Sequence, residues 1–310
     1  MQNLNGKMVG QYELRYILGI GGMSVVYSGY QINLKREVAV KILSPQLALQ
    51  PDYIERFTRE AETAARLEHP HIVPVYDYGT EDGLTYVVMR LLTGGTLAQR
   101  MAQRAETSEP LPSLGELSTL LTQLASALDY AHSQGVLHRD IKPSNIMFDN
   151  QGTAYIVDYG IAKLLESTST LTGTGVSMGT PSYMSPEQWR AEDLSPATDQ
   201  YALGAMMYLL LTGEPPFKAP TPYALMHKHL HELPTPPQVV RPDVPDAVAH
   251  VLGRAMAKKA ADRFPTCTAF SEAFGQAIQG STGEPTNFFT MPVRSNELPA
   301  VPMTPISPGA

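Results

Sequence analysis

The sequence predicts an α+β fold of two unequal parts, a small strand-rich front and a larger, mainly helical back. Three observations carry this. Runs with strand character crowd the first part, at residues 12–18, 25–30, 38–43, 69–76 and 84–89, with one long helical pattern (51–67) among them. The segment Thr93-Gly94-Gly95-Thr96 then punctuates the chain. Beyond it the strongest patterns are helical, at 113–135, 201–211, 245–258 and 266–279.

Composition bounds the reading. The 310 residues are enough for one large domain or two lobes around a cleft, and 43% hydrophobic residues is ordinary for a globular chain. A net charge of −7 and a pI of about 5.6 argue against a general nucleic-acid or anionic-membrane surface. Cys267 is the single cysteine, so no internal disulfide forms, which fits a reducing compartment, and an inert small residue is the simpler reading of it. The N-terminus lacks a charged-then-apolar leader pattern. No apolar run reaches the roughly 18–20 residues of a membrane helix. The longest, 201–211, ends in Thr212-Gly213-Glu214-Pro215-Pro216 and reads as a buried core helix. The expectation is a cytoplasmic chain with no membrane segment of its own.

In the front part, strand 12–18 leads into Gly19-Ile20-Gly21-Gly22-Met23-Ser24 and then strand 25–30. Glycines let backbone approach phosphates and present N–H donors without side-chain clash. With strands on both flanks, a strand–turn–helix dinucleotide site is disfavoured. Strand 38–43 puts Ala39 and Lys41 on one face, leaving room for a flat ring beside a phosphate contact. In helix 51–67, Ile54, Phe57, Ala61 and Ala64 form a stripe, with Glu60 beside it; a carboxylate there wants a cationic partner. Glu81-Asp82-Gly83 forms the last turn of the front sheet. His69 and His71 have no Cys or acidic cluster to complete a metal site.

In the back part, Ser113-Leu114-Gly115-Glu116 reads as a capping box. It opens a helix with Leu117, Leu120, Leu121, Leu124 and Leu128 on one face, ended by Gly135. That helix delivers the chain to His138-Arg139-Asp140-Ile141-Lys142-Pro143-Ser144-Asn145, followed later by Ile156-Val157-Asp158-Tyr159-Gly160. The alternation Ile146, Phe148 and then Tyr155, Val157 predicts a small hairpin carrying them. One carboxylate can take a proton from an incoming hydroxyl. A second carboxylate with a carboxamide offers oxygen ligands suited to Mg²⁺. A lysine can neutralise a transferring phosphoryl group. This is equipment for phosphoryl transfer. His227, His229 and His231 alternate on a helical segment, where they share no face for a metal.

These motifs, in this order, resemble those of protein kinases, and most of all the bacterial eukaryotic-like Ser/Thr kinases. The resemblance runs over residues 11–280. It implies the bilobal protein-kinase fold, with an N-lobe (11–92), a C-lobe (93–280) and ATP with Mg²⁺ (or Mn²⁺) between them. It implies that Asp140 is the base, that Lys142 contacts the γ-phosphate, and that Asn145 and Asp158 hold the metal. It assigns Leu18, Gly19, Gly21, Gly22, Met23, Ser24 and Val26 to the phosphate loop and adenine cover, with Ala39 and Met147 also lining the nucleotide. Lys41 would hold the α/β-phosphates, braced by Glu60 or, failing that, Glu62. Met89 falls at the gatekeeper position, and Arg90 C=O and Leu92 N–H would meet the adenine. Thr180 would bond near Asp140 and Lys142, Glu187 would pair with Arg263, and Asp199 would brace the 138–145 backbone. Tyr159, Ser24 and Ser185 depart from the family pattern; Ser24 restricts φ where glycine is usual, and the Tyr159 hydroxyl needs a partner.

The stretch 166–175 corresponds to the family's activation loop, with Thr172 and Thr174 as a phosphorylation pair and Arg139 as the phosphate's holder. Lys142 and Thr180 point to protein Ser/Thr acceptors. Residues 281–310, rich in Pro, Thr and Ser, read as a disordered tail or a linker. Such a linker would make the chain the cytoplasmic part of a membrane-anchored kinase. A kinase homodimer is implied only by family analogy. Two other readings stand beside a protein kinase. A pseudokinase scaffold is opposed by the retained Lys41, Glu60, Asp140, Asn145 and Asp158. A small-molecule phosphotransferase is opposed by the peptide platform at 179–187.

Overall fold

Six antiparallel strands build the front of the molecule, in the order β1-β2-β3-β4-β6-β5. They are β1 (Met8–Val9), β2 (Tyr12–Ile20), β3 (Ser24–Gln31), β4 (Arg36–Leu43), then, after helix α1 (Pro51–Ala65), β5 (Val75–Glu81) and β6 (Leu84–Arg90). The computed structural model describes residues 4–22, 24–44, 47, 51–159 and 181–280, apart from the side chains of Pro51, Asp52, Arg56 and Glu60.

Strand alternation sorts the front residues into two cores. Val9, Tyr12, Leu14, Val25, Tyr27, Val38, Val40 and Val88 pack on one face of the sheet. Leu43 and Val87 face the other way, onto Phe57 and Ala61 of α1. The β5–β6 turn carries left-handed backbone at Asp82 (φ 48°) and Gly83 (φ 74°), the pair that matches a tight hairpin to strand twist. Two elements differ from the sequence expectation. Residues 8–9, ahead of the first expected strand, add a short edge strand on β2. The strand expected from 69 begins only at Val75, because Pro70 and Pro74 have no N–H for a ladder. Ile72 instead makes one isolated parallel bridge to Ile156, tying front to back.

The back contains α2 (Leu97–Glu106), α3 (Leu114–Ser133), the hairpin β7 (Ile146–Phe148) and β8 (Ala154–Ile156), then α4 (Pro186–Trp189), α5 (Pro196–Thr212), α6 (Pro222–His231), α7 (Pro237–Val240), α8 (Asp246–Ala255) and α9 (Cys267–Gln279). The capping box of α3 is formed: Glu116 N–H donates to Ser113 Oγ (3.2 Å), and Ser113 N–H donates to Glu116 Oε2 (2.8 Å). Gly135 follows at φ 74°. Helix α5 starts earlier than its apolar run, because Pro196 fills the first turn, where no N–H is needed. Almost every side chain of α5 is buried, and Gly213 (φ 77°) ends it. Truncating a wholly buried leucine there, such as Leu203, would cost about 2–5 kcal/mol.

At the junction of front and back, Val73, Leu92, Tyr155 and Val157 form a small apolar group with Met89 and Met147. Among the described residues, no helix is long and apolar enough to cross a membrane.

Candidate active site

The 138–145 loop is held largely through its backbone, by side chains from other segments. His138 is wholly buried; its Nε2 lies 3.0 Å from Val157 O, and its Nδ1 accepts from Asp140 N–H (3.2 Å). Its ring meets Tyr159 edge-on, 4.9 Å between centres. Arg139 sits in left-handed backbone (φ 67°), a conformation that a non-glycine residue holds only when its surroundings impose it. They do so here. Asp199, in the first turn of α5, accepts from His138 N–H (2.8 Å) and Arg139 N–H (2.6 Å). From the other side, Gln188 Nε2 donates to Arg139 O (2.9 Å).

Asp199 is anchored in turn. His132 Nε2, from α3, lies 2.8 Å from Asp199 Oδ2, and His132 Nδ1 lies 3.8 Å from Asp129 Oδ1, a charge contact too long for a hydrogen bond. Burial opposes a charged imidazole, but the two carboxylates outweigh it and raise the His132 pKa to about 9. Burial likewise opposes ionisation of Asp199, and contacts with His132 and His138 overcome it and lower its pKa. Asp129 also caps α9, accepting from Cys267 N–H (2.9 Å) and Thr268 N–H (2.7 Å).

The chemical groups converge above this base. Lys142 Nζ lies 2.6 Å from Asp140 Oδ2. Asn145 Nδ2 donates to Asp140 O (2.8 Å) and Asp140 Oδ2 (3.1 Å), while its amide oxygen takes a long contact from Ser144 Oγ (3.5 Å) and keeps a lone pair for a cation. Val157 N–H donates to Asn145 O (3.0 Å), which fixes the hairpin to the loop. Asp158, in left-handed backbone (φ 60°), stands with Oδ1 2.6 Å from Lys41 Nζ. Burial would raise the Asp158 pKa; Lys41 above all, then His138 and Lys142, reverse this and lower it.

The front sheet supplies a roof. Val26 is opposite both Gly19 and Lys41, and Ala39 is opposite Met89. Gly21 N–H closes the turn onto Ser24 O (2.8 Å), while Gly19 and Gly22 border open space. Ser24 is extended, as the buried first residue of β3, so its restricted φ imposes no strain. Leu18 is partly exposed at the sheet's edge, and Leu92 is buried at the junction. Arg90 Nη1 donates to Tyr155 Oη (2.8 Å), across from β6 to β8. Met147 pairs directly opposite Tyr155 in the hairpin.

One expectation is not met, and others fall outside the described residues. Glu62 does not reach Lys41: its Oε1 accepts from Tyr78 Oη (3.3 Å) on the exposed side of α1, because residues two apart on a helix point in different directions. Met23, Thr172, Thr174 and Thr180 lie outside the described residues, as does the Glu60 side chain and so its pairing with Lys41. Among the described residues, the Tyr159 hydroxyl has no hydrogen-bond partner, and burial pushes its pKa well up. The three alternate histidines split as their spacing requires. His229 is buried against Tyr201 Oη (2.9 Å), while the rings of His227 and His231 stand 4.9 Å apart.

Below the site, Arg263 forks onto Glu187: Nη1 to Oε1 (2.7 Å) and Nη2 to Oε2 (2.9 Å). Thr198 Oγ1 adds a third donor to Glu187 Oε1 (3.0 Å). Sequence reasoning passed over His132, Gln188 and Thr198. Only His132 carried a signal, as a titratable residue on the buried stripe of α3.

The protein kinase domain family matches residues 12–274 of this sequence. The chain belongs to the protein kinase domain family. Among relatives, the kinase chain is 36% identical over 308 residues to the serine/threonine-protein kinase PknE of Mycobacterium bovis, covering 99% of this chain and 53% of that protein. It is 37% identical over 297 residues to PknB of Mycolicibacterium smegmatis, covering 94% and 47%. It thus spans about half the length of the curated relatives it matches. Among solved structures, the Mycobacterium tuberculosis PknI kinase domain superposes with a TM-score of 0.71 at 32% identity, covering 89% of this kinase chain and all of that one. The strand-rich front corresponds to the β-rich N-lobe of the kinase fold, and the helical back to its C-lobe.

Proposed function

We propose that this chain is the catalytic domain of a Ser/Thr protein kinase that moves the γ-phosphoryl group of ATP to protein hydroxyls. The observation that carries the reading is the convergence of Asp140, Lys142, Asn145 and the Lys41–Asp158 pair from segments far apart in sequence. Asp140 orients the acceptor hydroxyl and accepts its proton. Lys142, beside it, offsets negative charge on the moving group. Lys41 is buried, opposite Val26 in the sheet, and would meet phosphate oxygens under the glycine turn.

The donor set fits a divalent cation of the Mg²⁺ or Mn²⁺ kind: the Asp158 carboxylate and the Asn145 amide oxygen are hard oxygen ligands. Such an ion, when bound, supplies charge neutralisation for the phosphate chain. Thr172 and Thr174 are the proposed sites of self-phosphorylation, with Arg139 as the phosphate's holder.

The test is peptide mapping after incubation with Mg-ATP, beside Asp140→Asn and Lys41→Met controls. Phosphate on Thr172 or Thr174 that is absent from both controls is the expected result. Nucleotide binding with no phosphate on the chain or on a generic Ser/Thr protein would replace this reading with a binding scaffold.

A further inference from the structure

We propose that the Arg90 side chain sets the spacing of the nucleotide slot and so governs how tightly the adenine nucleotide is held and how fast the product leaves. The inference rests on the ATP-dependent reading above, in which the main chain of Arg90 borders the adenine. That role needs only a backbone carbonyl, which any residue provides, so the side chain is free for other work.

The backbone of Arg90 is fixed to the N-lobe. It ends β6, pairs with Val38, and donates its N–H to Pro74 O (3.1 Å). Its side chain crosses to the other lobe. Nη1 donates to Tyr155 Oη (2.8 Å), Nη2 lies 3.5 Å from Asp149 Oδ2, and Cζ stands 5.0 Å from the Tyr155 ring centre. The receiving groups are enclosed and held by further hydrogen bonds. Tyr155 and Asp149 are both buried, and Tyr155 Oη also donates to Asp149 Oδ2 (3.3 Å). Asp149 Oδ1 accepts from Gln151 N–H and Thr153 N–H, so it closes the β7–β8 turn.

Tyr155 is the residue paired across from Met147, which would form the floor of the slot. One edge of the slot therefore belongs to Arg90 by its main chain, and the floor is tied to Arg90 by its side chain. A forked guanidinium fixes both distance and angle, which a flexible ammonium does not. Arg90 is a positioning residue; it acts on the nucleotide through the hinge and Met147.

The experiment measures release of Mg-ADP bearing a fluorescent ribose group from the full chain, together with KM for ATP and kcat, in Arg90→Ala, Arg90→Lys, Tyr155→Phe and the Arg90→Ala/Tyr155→Phe double variant. Losing a charge-assisted hydrogen bond at a half-exposed site should speed release and raise KM by roughly three- to tenfold, with a smaller factor in kcat. Arg90→Lys should fall between. Tyr155→Phe keeps the ring and tests the link even if Arg90→Ala fails to fold. The double variant should match Arg90→Ala, because both remove one connection. Release within twofold of the unsubstituted chain in Arg90→Ala and Tyr155→Phe, or losses that multiply in the double variant, would overturn the proposal alone. An unsubstituted chain that binds no Mg-ADP would overturn the ATP-dependent reading and this inference together.

Discussion

Lys41 Nζ and Asp158 Oδ1 stand 2.6 Å apart, joining the N-lobe sheet to the segment that follows β8. Lys41 is almost wholly enclosed while the Asp158 side chain is 40% exposed, so this pair is only partly shielded from solvent. Replacing Lys41 with Met leaves Asp158 without its main cationic neighbour and removes the charge proposed to meet phosphate. Phosphoryl transfer should fall by roughly 10²–10³-fold, measured as labelled phosphate incorporated per minute. Transfer within tenfold of the unsubstituted rate would show that Lys41 is a structural lysine only.

The Glu187–Arg263 pair makes a prediction about stability rather than rate. Both groups are buried, and the fork satisfies both carboxylate oxygens. Arg263→Ala strands a buried carboxylate and should destabilise the chain by about 3–5 kcal/mol in urea unfolding. Arg263→Lys should recover only part of this, since an ammonium cannot fork. Full recovery by lysine would mean that charge alone matters at this position.

His132 gives the site a pH dependence with a definite sign. Its pKa is raised to about 9 from an ordinary 6.5, so the folded chain binds the proton more tightly than the unfolded one. Its stabilising contribution is therefore complete below about pH 6.5 and drains away as pH rises towards 9, on the order of 3 kcal/mol in all. Urea midpoints of the unsubstituted chain should fall across that window, and those of His132→Gln should fall less. Parallel curves for the two proteins would remove His132 as the cause.

Gly94 is required for close approach rather than for turning. A Cβ there would stand 2.3 Å from Asp149 O and 2.8 Å from Phe148 O, both backbone atoms that cannot swing aside. Gly94→Ala should cost about 1–3 kcal/mol, as overpacking does. A thermal midpoint lowered by several degrees is the expected readout. An unchanged midpoint would show that the 93–96 segment shifts freely.

The strands of the N-lobe were legible because alternation places Val38, Val40 and Ile42 on one face, and the β5–β6 turn because Asp82-Gly83 tolerates left-handed backbone. The stretch from His138 to Asn145 was legible because several polar groups with complementary chemistry sit at fixed spacing. What escaped is long-range. The start of β5 was misplaced because a run of apolar residues around Pro70 and Pro74 reads as a strand until its missing donors are counted. Gln188 reaching Arg139 O, and His132 reaching Asp199, join residues tens of positions apart that carry no local pattern. The side chain of Arg90 looked incidental beside its carbonyl, and only the hairpin across from it shows where the guanidinium goes.

Asp199 and Arg263 lie well downstream of the loop and the carboxylate that they hold: Asp199 is 60 residues beyond Arg139, and Arg263 is 76 beyond Glu187. On the ribosome the chain emerges from its N-terminus, so Lys41, Asp140 and Asp158 are all exposed to the cell before their fastenings exist. A nascent chain halted before Asp199 has every proposed catalytic group, yet lacks the carboxylate that binds His138 N–H and Arg139 N–H. One halted before Arg263 has the Glu187 carboxylate without its cationic partner, with the Thr198 hydroxyl alone to meet it. By this order of synthesis, the fastenings of the site are complete only once Arg263, just ahead of α9, has left the exit tunnel.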